Sequence, residues 1–420
     1  MLISDKHISR IYEMGLVLLA FSIPIYRKVI PYVIAAIVIT WFLEADFAVK
    51  ARRVVENTHR RNTLLFAGLY LLYGFGMLFT GNLDAGLFNL EVKMSLFIFP
   101  VLMSTIREDV LTLAIARKVL WAFIFGVLTS IGICYGQALY HFFREGSLAV
   151  FYYSSLSPLI HPSYMAMYVI FAMAAILYFL SRGVVKGRVK RVLSVVLLIV
   201  FEIFVIMLSS KAGILGMVIL LILFPLYLLL AERKILKGLA VSMVLWLSFA
   251  LLFVSFPVSA ERFEETRAAI EQTNINADEI ASSSGERLLI WWYSFEITND
   301  NLLFGVGTGD VRDELLDKYR EKQMYNALGL ALNAHNQYLQ TTLALGVLGL
   351  IALMLCIVLP LLYGFEKRHY LLLIFMILVA FNFLFESMLE TQAGVVFYAF
   401  FNAFLFAIKK DPASEKAGSF

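Results

Sequence analysis

The chain has 420 residues, 61% of them hydrophobic and 16% charged, with 35 Lys/Arg against 31 Asp/Glu for a formal net charge of +4. Soluble domains sit near ~45–50% apolar and ~25% charged, so this composition excludes an ordinary soluble protein, and no nucleic-acid partner is expected. The excess apolar residues fall in blocks of about 15–25, long enough to cross ~30 Å of hydrocarbon at ~1.5 Å per residue. The chain therefore reads as an all-α polytopic membrane protein.

Taken in order, twelve helices are predicted, over 11–26, 29–46, 63–80, 86–105, 119–140, 163–180, 192–208, 212–231, 239–257, 336–363, 370–386 and 394–408. The first apolar run lacks a small-residue cleavage site and continues into a second, so no secretory signal peptide is expected. Cys134 and Cys356 both lie within apolar runs and suggest no disulfide framework.

Alternate connections share a side, and sorting Lys and Arg by side tests the layout. One side collects 23, including both termini; the short connections on the other side hold only Arg27, Lys28, Arg144 and Lys211. Short loops rich in Lys and Arg stay cytoplasmic. Both termini are expected in the cytoplasm and the long connection 258–334 outside it. The organisation expected is thus 1–257 with helices 1–9, 258–334 as the outer loop, 335–408 with helices 10–12, and 409–420 as a cytoplasmic tail.

Within the loop, Glu261 to Gln272 is a polar helix candidate and Ser282–Gly285 a break. Arg287 to Ile297 is amphipathic, with Trp291 and Trp292 suited to the headgroup belt. "FGVGTGD" lacks the GK[ST] ending of a phosphate loop and reads as a tight turn exposing backbone N–H groups. Asp310 to Lys322 is a charged helix with an Asp near its N-cap.

The tenth helix opens with Asn333, His335, Asn336, Gln337 and Gln340, more hydrogen-bonding groups than an apolar anchor needs. An interfacial histidine often does no more than cap a helix. In this polar setting a neutral imidazole can also take a proton from a hydroxyl near neutral pH. Gly346 lies roughly 16 Å deeper by helical rise, so Gly346 and Gly349 are expected to serve close helix packing.

Other polar groups sit at the outer ends of spans. Lys211 is either a snorkelling lysine or a cation facing a lipid phosphate. Glu386 and Glu390 are expected one turn apart on one helical face, where carboxylates are costly unless paired or facing water. His161 in "SPLIHPSYMAMY" is a further polar group, although Pro158 and Pro162 fit a plain turn equally well. Glu91, Lys93 and Glu202 lie within spans, as structural ion-pair partners or as functional groups.

Several of these pieces together resemble the O-antigen ligase and O-antigen polymerase superfamily. His335-Asn336, nine residues, Gly346, two residues, Gly349 fits its H-[NSQ]-x9-G-x2-[GTY] pattern. "SSKAGILG", "GERLLIWWYSFEITNDNLLFGVGTGD" and "FESMLETQAGVVFYAFF" support the resemblance, which covers roughly 200–405 well and the N-terminal spans by topology alone. It implies a GT-C-type glycosyltransferase of the bacterial inner membrane, without cofactor or metal, whose active site faces the periplasm. The implied donor is an undecaprenyl-diphosphate-linked glycan. The implied acceptor is a hydroxyl of lipid A–core for a ligase, of a growing glycan for a polymerase, or of a protein for some relatives. By position, His335 corresponds to the motif histidine that activates the acceptor, and Arg287 to the loop arginine that holds the diphosphate. Lys211 stands where many members have arginine, which puts a second bidentate clamp in doubt. Direct attack on the anomeric carbon implies inversion. The "AHNQYLQ…GVLG" form leans toward the ligase. A transporter would instead show internal pseudo-symmetry and polar groups near the bilayer midplane.

Overall fold

A computed structural model describes residues 5–231, 235–255 and 283–408, and every regular element among them is helical. Backbone groups in hydrocarbon must be satisfied within the segment that carries them, which a helix does. The chain runs through α1 (Asp5–Ser22), α2 (Ile30–Glu44), α3 (Phe47–Val55), α4 (Thr58–Leu65), α5 (Gly68–Gly76), α6 (Leu83–Lys93), α7 (Ser95–Thr105) and α8 (Leu113–Glu145). After the short α9 (Tyr153–Leu156) come α10 (Pro162–Ser181), α11 (Arg188–Met207), α12 (Lys211–Leu226) and α13 (Ile235–Ser255). The described part of the long connection holds α14 (Ser283–Asp300), α15 (Val311–Glu321) and α16 (Tyr325–Leu330). Three helices close the chain: α17 (Gln337–Glu366), α18 (Tyr370–Phe383) and α19 (Gln392–Ala407).

Each predicted span falls on helical backbone, yet by length and apolarity seven helices among the described residues could cross a membrane, or eight if α2 and α3, bent by 100°, form one broken span. This is a multi-pass membrane protein. Four predicted spans fall short of that test. α18 and α19 have 14 and 16 residues, below the ~20 that span hydrocarbon. α1 and α11 open with charged turns, and α11 also carries Glu202.

Burial explains how a short apolar helix is tolerated. The apolar stretch of α10 is 94% buried, against 11% for α13 at the periphery. α19 is buried along its whole length, so protein rather than lipid surrounds it. Phe123, Phe171, Phe375, Phe397 and Phe401 interlock there, with ring centroids 4.9 Å apart for Phe123–Phe401 and 5.0 Å for Phe171–Phe401 in edge-to-face arrangement.

α17 departs from the expected continuous helix. Gly346 has φ +63° and ψ −158°, a non-helical conformation inside it. A Cβ there would lie 2.3 Å from the backbone C and O of Leu303. The break lets the "FGVGTGD" segment dock against the opened backbone: Val347 N donates to Leu302 O at 2.8 Å, Val306 N to Leu343 O at 2.8 Å, and Gly307 N to Ala344 O at 3.1 Å. Gly346 thus permits a break and a backbone pairing rather than helix packing. A Cβ on Gly349 would meet its own helix, at 2.4 Å from Leu345 Cβ. The expected packing role of both glycines is corrected by the kink.

The glycine turn is also not an open nest. Its N–H groups at 306 and 307 are taken by α17 carbonyls, and a Cβ on Gly309 would lie 2.2 Å from Asn82 O. Asp310 does not cap α15 with its side chain. Its carboxylate instead accepts from Gly81 N and Asn82 N, each at 2.7 Å. The long connection is therefore pinned to α17 on one side and to the start of α6 on the other. The predicted helix Glu261–Gln272 lies outside the described residues, as does Ser282. α14 begins at Ser283, so Gly285 sits within a helix rather than in a break.

Candidate functional site

The site forms where α14, the start of α17 and the turn after α18 converge. α18 ends at Phe383, and Met388–Glu390 form a single 3-10 turn. Glu386 and Glu390 therefore do not share a helical face, correcting the expected arrangement, and each meets a different partner.

Glu386 is the hub. Its Oε1 accepts from Arg287 Nη2 at 3.3 Å and from Ser163 Oγ at 3.1 Å, while its Oε2 lies 3.6 Å from His335 Nδ1. Arg287 also donates through Nη1 to Phe385 O at 3.0 Å. At 3.6 Å the imidazole lies beyond ordinary hydrogen-bond reach of the carboxylate. The Glu386 side chain is 8% exposed, whereas His335 and Arg287 are 22% and 31% exposed. The carboxylate is the floor of the site, and the imidazole and guanidinium are partly exposed above it. Burial pushes the Glu386 carboxyl up, but the neighbouring His335 side chain and the charges of Arg287 and His161 outweigh it and hold the group below its ordinary value.

His335 is held by its neighbours. Its φ is +46°, a strained conformation for a non-glycine residue that costs ~1–3 kcal/mol. Asn333 Oδ1 accepts from His335 N at 2.9 Å, and Gln340 Oε1 from Ala334 N at 3.1 Å. Trp291 Nε1 donates to Ala334 O at 3.0 Å, and Asn336 N to Ser387 Oγ at 3.3 Å. The polar cluster around the histidine thus mostly fixes backbone. Asn336 also caps α17, its Oδ1 accepting from Leu339 N at 3.1 Å. Gln337 is fully buried and bridges, taking Leu389 N at 2.6 Å and donating to Thr341 Oγ1 at 3.0 Å. Of the two tryptophans, Trp292 is exposed and Trp291 turns inward to this loop.

The other candidates are placed as follows. His161 caps α10, its Nδ1 accepting at 3.4 Å from the backbone N of Ser163, the serine whose hydroxyl binds Glu386. Lys211 opens α12 directly after Ser210, whose hydroxyl donates to Ser163 Oγ at 3.3 Å. His161 therefore adjoins the Glu386 hub, and Lys211 follows a serine that is linked to it through Ser163. Glu390 instead pairs with buried Lys93, Nζ to Oε2 at 2.7 Å. Glu202 is buried far along α11, accepting from Ser248 Oγ at 3.4 Å, and Glu91 is exposed. Among the described residues no group of three or more His, Cys, Asp or Glu side chains is arranged to hold a metal ion.

Sequence reasoning missed Ser163, Ser387 and the partner of Lys93. Only the "HPSY" start of a largely apolar, buried helix marked Ser163 as a hydroxyl in need of an acceptor.

Residues 193–354 match the family model described as O-Antigen ligase. That segment is O-antigen ligase-like. Lys211, Arg287, His335, Gly346 and Gly349 all fall inside the O-antigen ligase segment, and Glu386 and Glu390 beyond it. The break at Gly346 and the backbone pairing with Leu302 also lie within it. Comparison with individual curated proteins gives no match.

Proposed function

We propose that this protein is a GT-C-type glycosyltransferase of twelve spans in the bacterial inner membrane. It transfers a glycan from undecaprenyl diphosphate to a hydroxyl of lipid A–core on the periplasmic face. One observation carries the reading: His335 and Arg287 share the Glu386 carboxylate, at 3.6 and 3.3 Å, inside or beside an O-antigen ligase segment.

The roles follow from chemistry. A lipid diphosphate is already a good leaving group, so the protein must position, neutralise charge and accept a proton. His335 Nδ1 faces Glu386, which leaves Nε2 to take the acceptor's proton, and the carboxylate stabilises the imidazolium that forms. The acceptor oxygen attacks the anomeric carbon as the C–O bond to phosphate breaks, and the electron pair leaves with undecaprenyl diphosphate. Configuration inverts. Arg287, oriented by Glu386 and Phe385 O, directs its remaining N–H donors to the diphosphate, and Lys211 adds a point charge.

The test is product identity. Purified protein receives glycan-loaded undecaprenyl diphosphate and lipid A–core, without added metal. Glycan appearing on lipid A–core supports the ligase. Glycans joined to one another make the protein a polymerase using the same donor, and glycan on protein makes it an O-oligosaccharyltransferase. No transfer, with donor lipid still crossing liposomes, would leave a transporter.

A further inference from the structure

Below the hub lies a second polar group that the proposed chemistry does not use. Lys93 is almost wholly buried at the end of α6, 2.7 Å from Glu390 Oε2 and with its ammonium 4.9 Å from the Tyr73 ring centroid. Tyr73 OH meets Thr341 Oγ1 at 3.1 Å, Thr341 meets Gln337, and Gln337 takes Leu389 N. A buried ion pair is weak support for stability, because desolvating two charges costs about as much as their attraction returns. Its place in the turn points elsewhere.

The 384–391 turn is a short relay of backbone bonds: Met388 N to Glu386 O at 2.9 Å and Glu390 N to Ser387 O at 3.1 Å. Glu390 and Glu386 thus sit in one hydrogen-bonded turn, four residues apart. From the other side the turn is closed by α19, where a Cβ on Gly394 would lie 2.1 Å from Met388 O. α6 itself is clamped to the long connection at its start and again within its second half: Asn82 Nδ2 donates to Asp313 Oδ2 at 2.8 Å, and Asn89 Nδ2 to Thr308 O at 2.9 Å. α6 is thus a strut between the long connection that carries Arg287 and the turn that carries Glu386.

We propose that Lys93 is a positioning residue which, through Glu390, fixes the turn that sets Glu386 against Arg287 and His335. The inference rests on the proposed transfer site, and its test separates the two.

Amide hydrogen exchange on the full chain in nanodiscs is compared for wild type, Lys93→Met and Lys93→Arg, alongside transfer kinetics. In Lys93→Met, amides of 386–390 and Asn336 exchange about 10-fold faster while α19 stays protected, and Lys93→Arg restores protection. The kcat falls about 10-fold with KM changed less than about 2-fold, and Lys93→Met lowers kcat no further in a Glu386→Gln background. Unchanged exchange in the turn, uniform deprotection of the whole bundle, or an equal loss of kcat in the Glu386→Gln background would each overturn the proposal. Should Lys93→Met fail to fold, Lys93→Met/Glu390→Gln leaves no unpaired buried charge and is read the same way. If wild type transfers nothing, the proposed function fails, and the exchange measurement still decides whether Lys93 positions the turn.

Discussion

Arg287 and Glu386 meet across 99 residues of sequence, Nη2 to Oε1 at 3.3 Å, while the other guanidinium nitrogen takes the carbonyl of Phe385 at 3.0 Å. One side chain thus grips both the carboxylate and the backbone beside it. A lysine cannot reproduce this two-point grip. Arg287→Lys is therefore expected to lose a charge-assisted hydrogen bond, ~1.5–3 kcal/mol or about 10- to 100-fold in transfer rate. Initial-rate kinetics on the folded variant checks this.

Glu386 supplies a pH signature. Its folded-state carboxyl lies below the ordinary 4.5. Its contribution to stability is therefore fully present above that ordinary value and is lost as pH falls through the folded value. The stability gap between wild type and Glu386→Gln should therefore shrink as pH falls below about 4.5. Thermal unfolding of both proteins as a function of pH measures the gap. A gap that already closes near pH 6 would mean that the carboxylate is not held ionised by its neighbours.

Gly346→Ala tests the broken helix. The new Cβ meets Leu303 backbone at 2.3 Å in a left-handed conformation, so the variant should lose more than ~1 kcal/mol and unfold several degrees lower. Gly136→Ala, with nothing within 4 Å of its Cβ, should stay within about 0.5 kcal/mol of wild type. Thermal unfolding of the two variants side by side provides the comparison.

Trp291→Phe keeps the ring and removes the Nε1 donor to Ala334 O. One hydrogen bond holding the strained His335 backbone is worth ~0.5–1.5 kcal/mol. Transfer should fall about 3- to 10-fold, while Trp292→Phe, at an exposed position, should change it by less than about 2-fold. Rates of the two variants measured together check the difference.

The apolar blocks marked the seven or eight helices long and apolar enough to cross a membrane, because bilayer thickness imposes a length that composition reveals. The sequence singled out His335 by its polar surroundings and Arg287 by the family resemblance, and the structure brings both to Glu386. The end of α18 was not legible: "FNFLFESMLE" carries no Gly or Pro to mark where the helix stops, so Glu386 and Glu390 read as one face. The partner of Glu390 was hidden for another reason. Lys93 is 297 residues away, and no spacing rule reaches that far. Gly346 was read by its commonest role in membrane helices, and only the backbone of Leu302 and Leu303, arriving from the long connection, shows the break it permits.

The most direct measurement is transfer of glycan from undecaprenyl diphosphate to lipid A–core by His335→Ala beside wild type, both shown to be folded by thermal unfolding. The account predicts transfer by wild type and a loss of at least ~100-fold in the variant, the range expected when a general base is removed. Transfer by His335→Ala at the wild-type rate would contradict the assignment of the histidine, and with it the role given to the Glu386 hub.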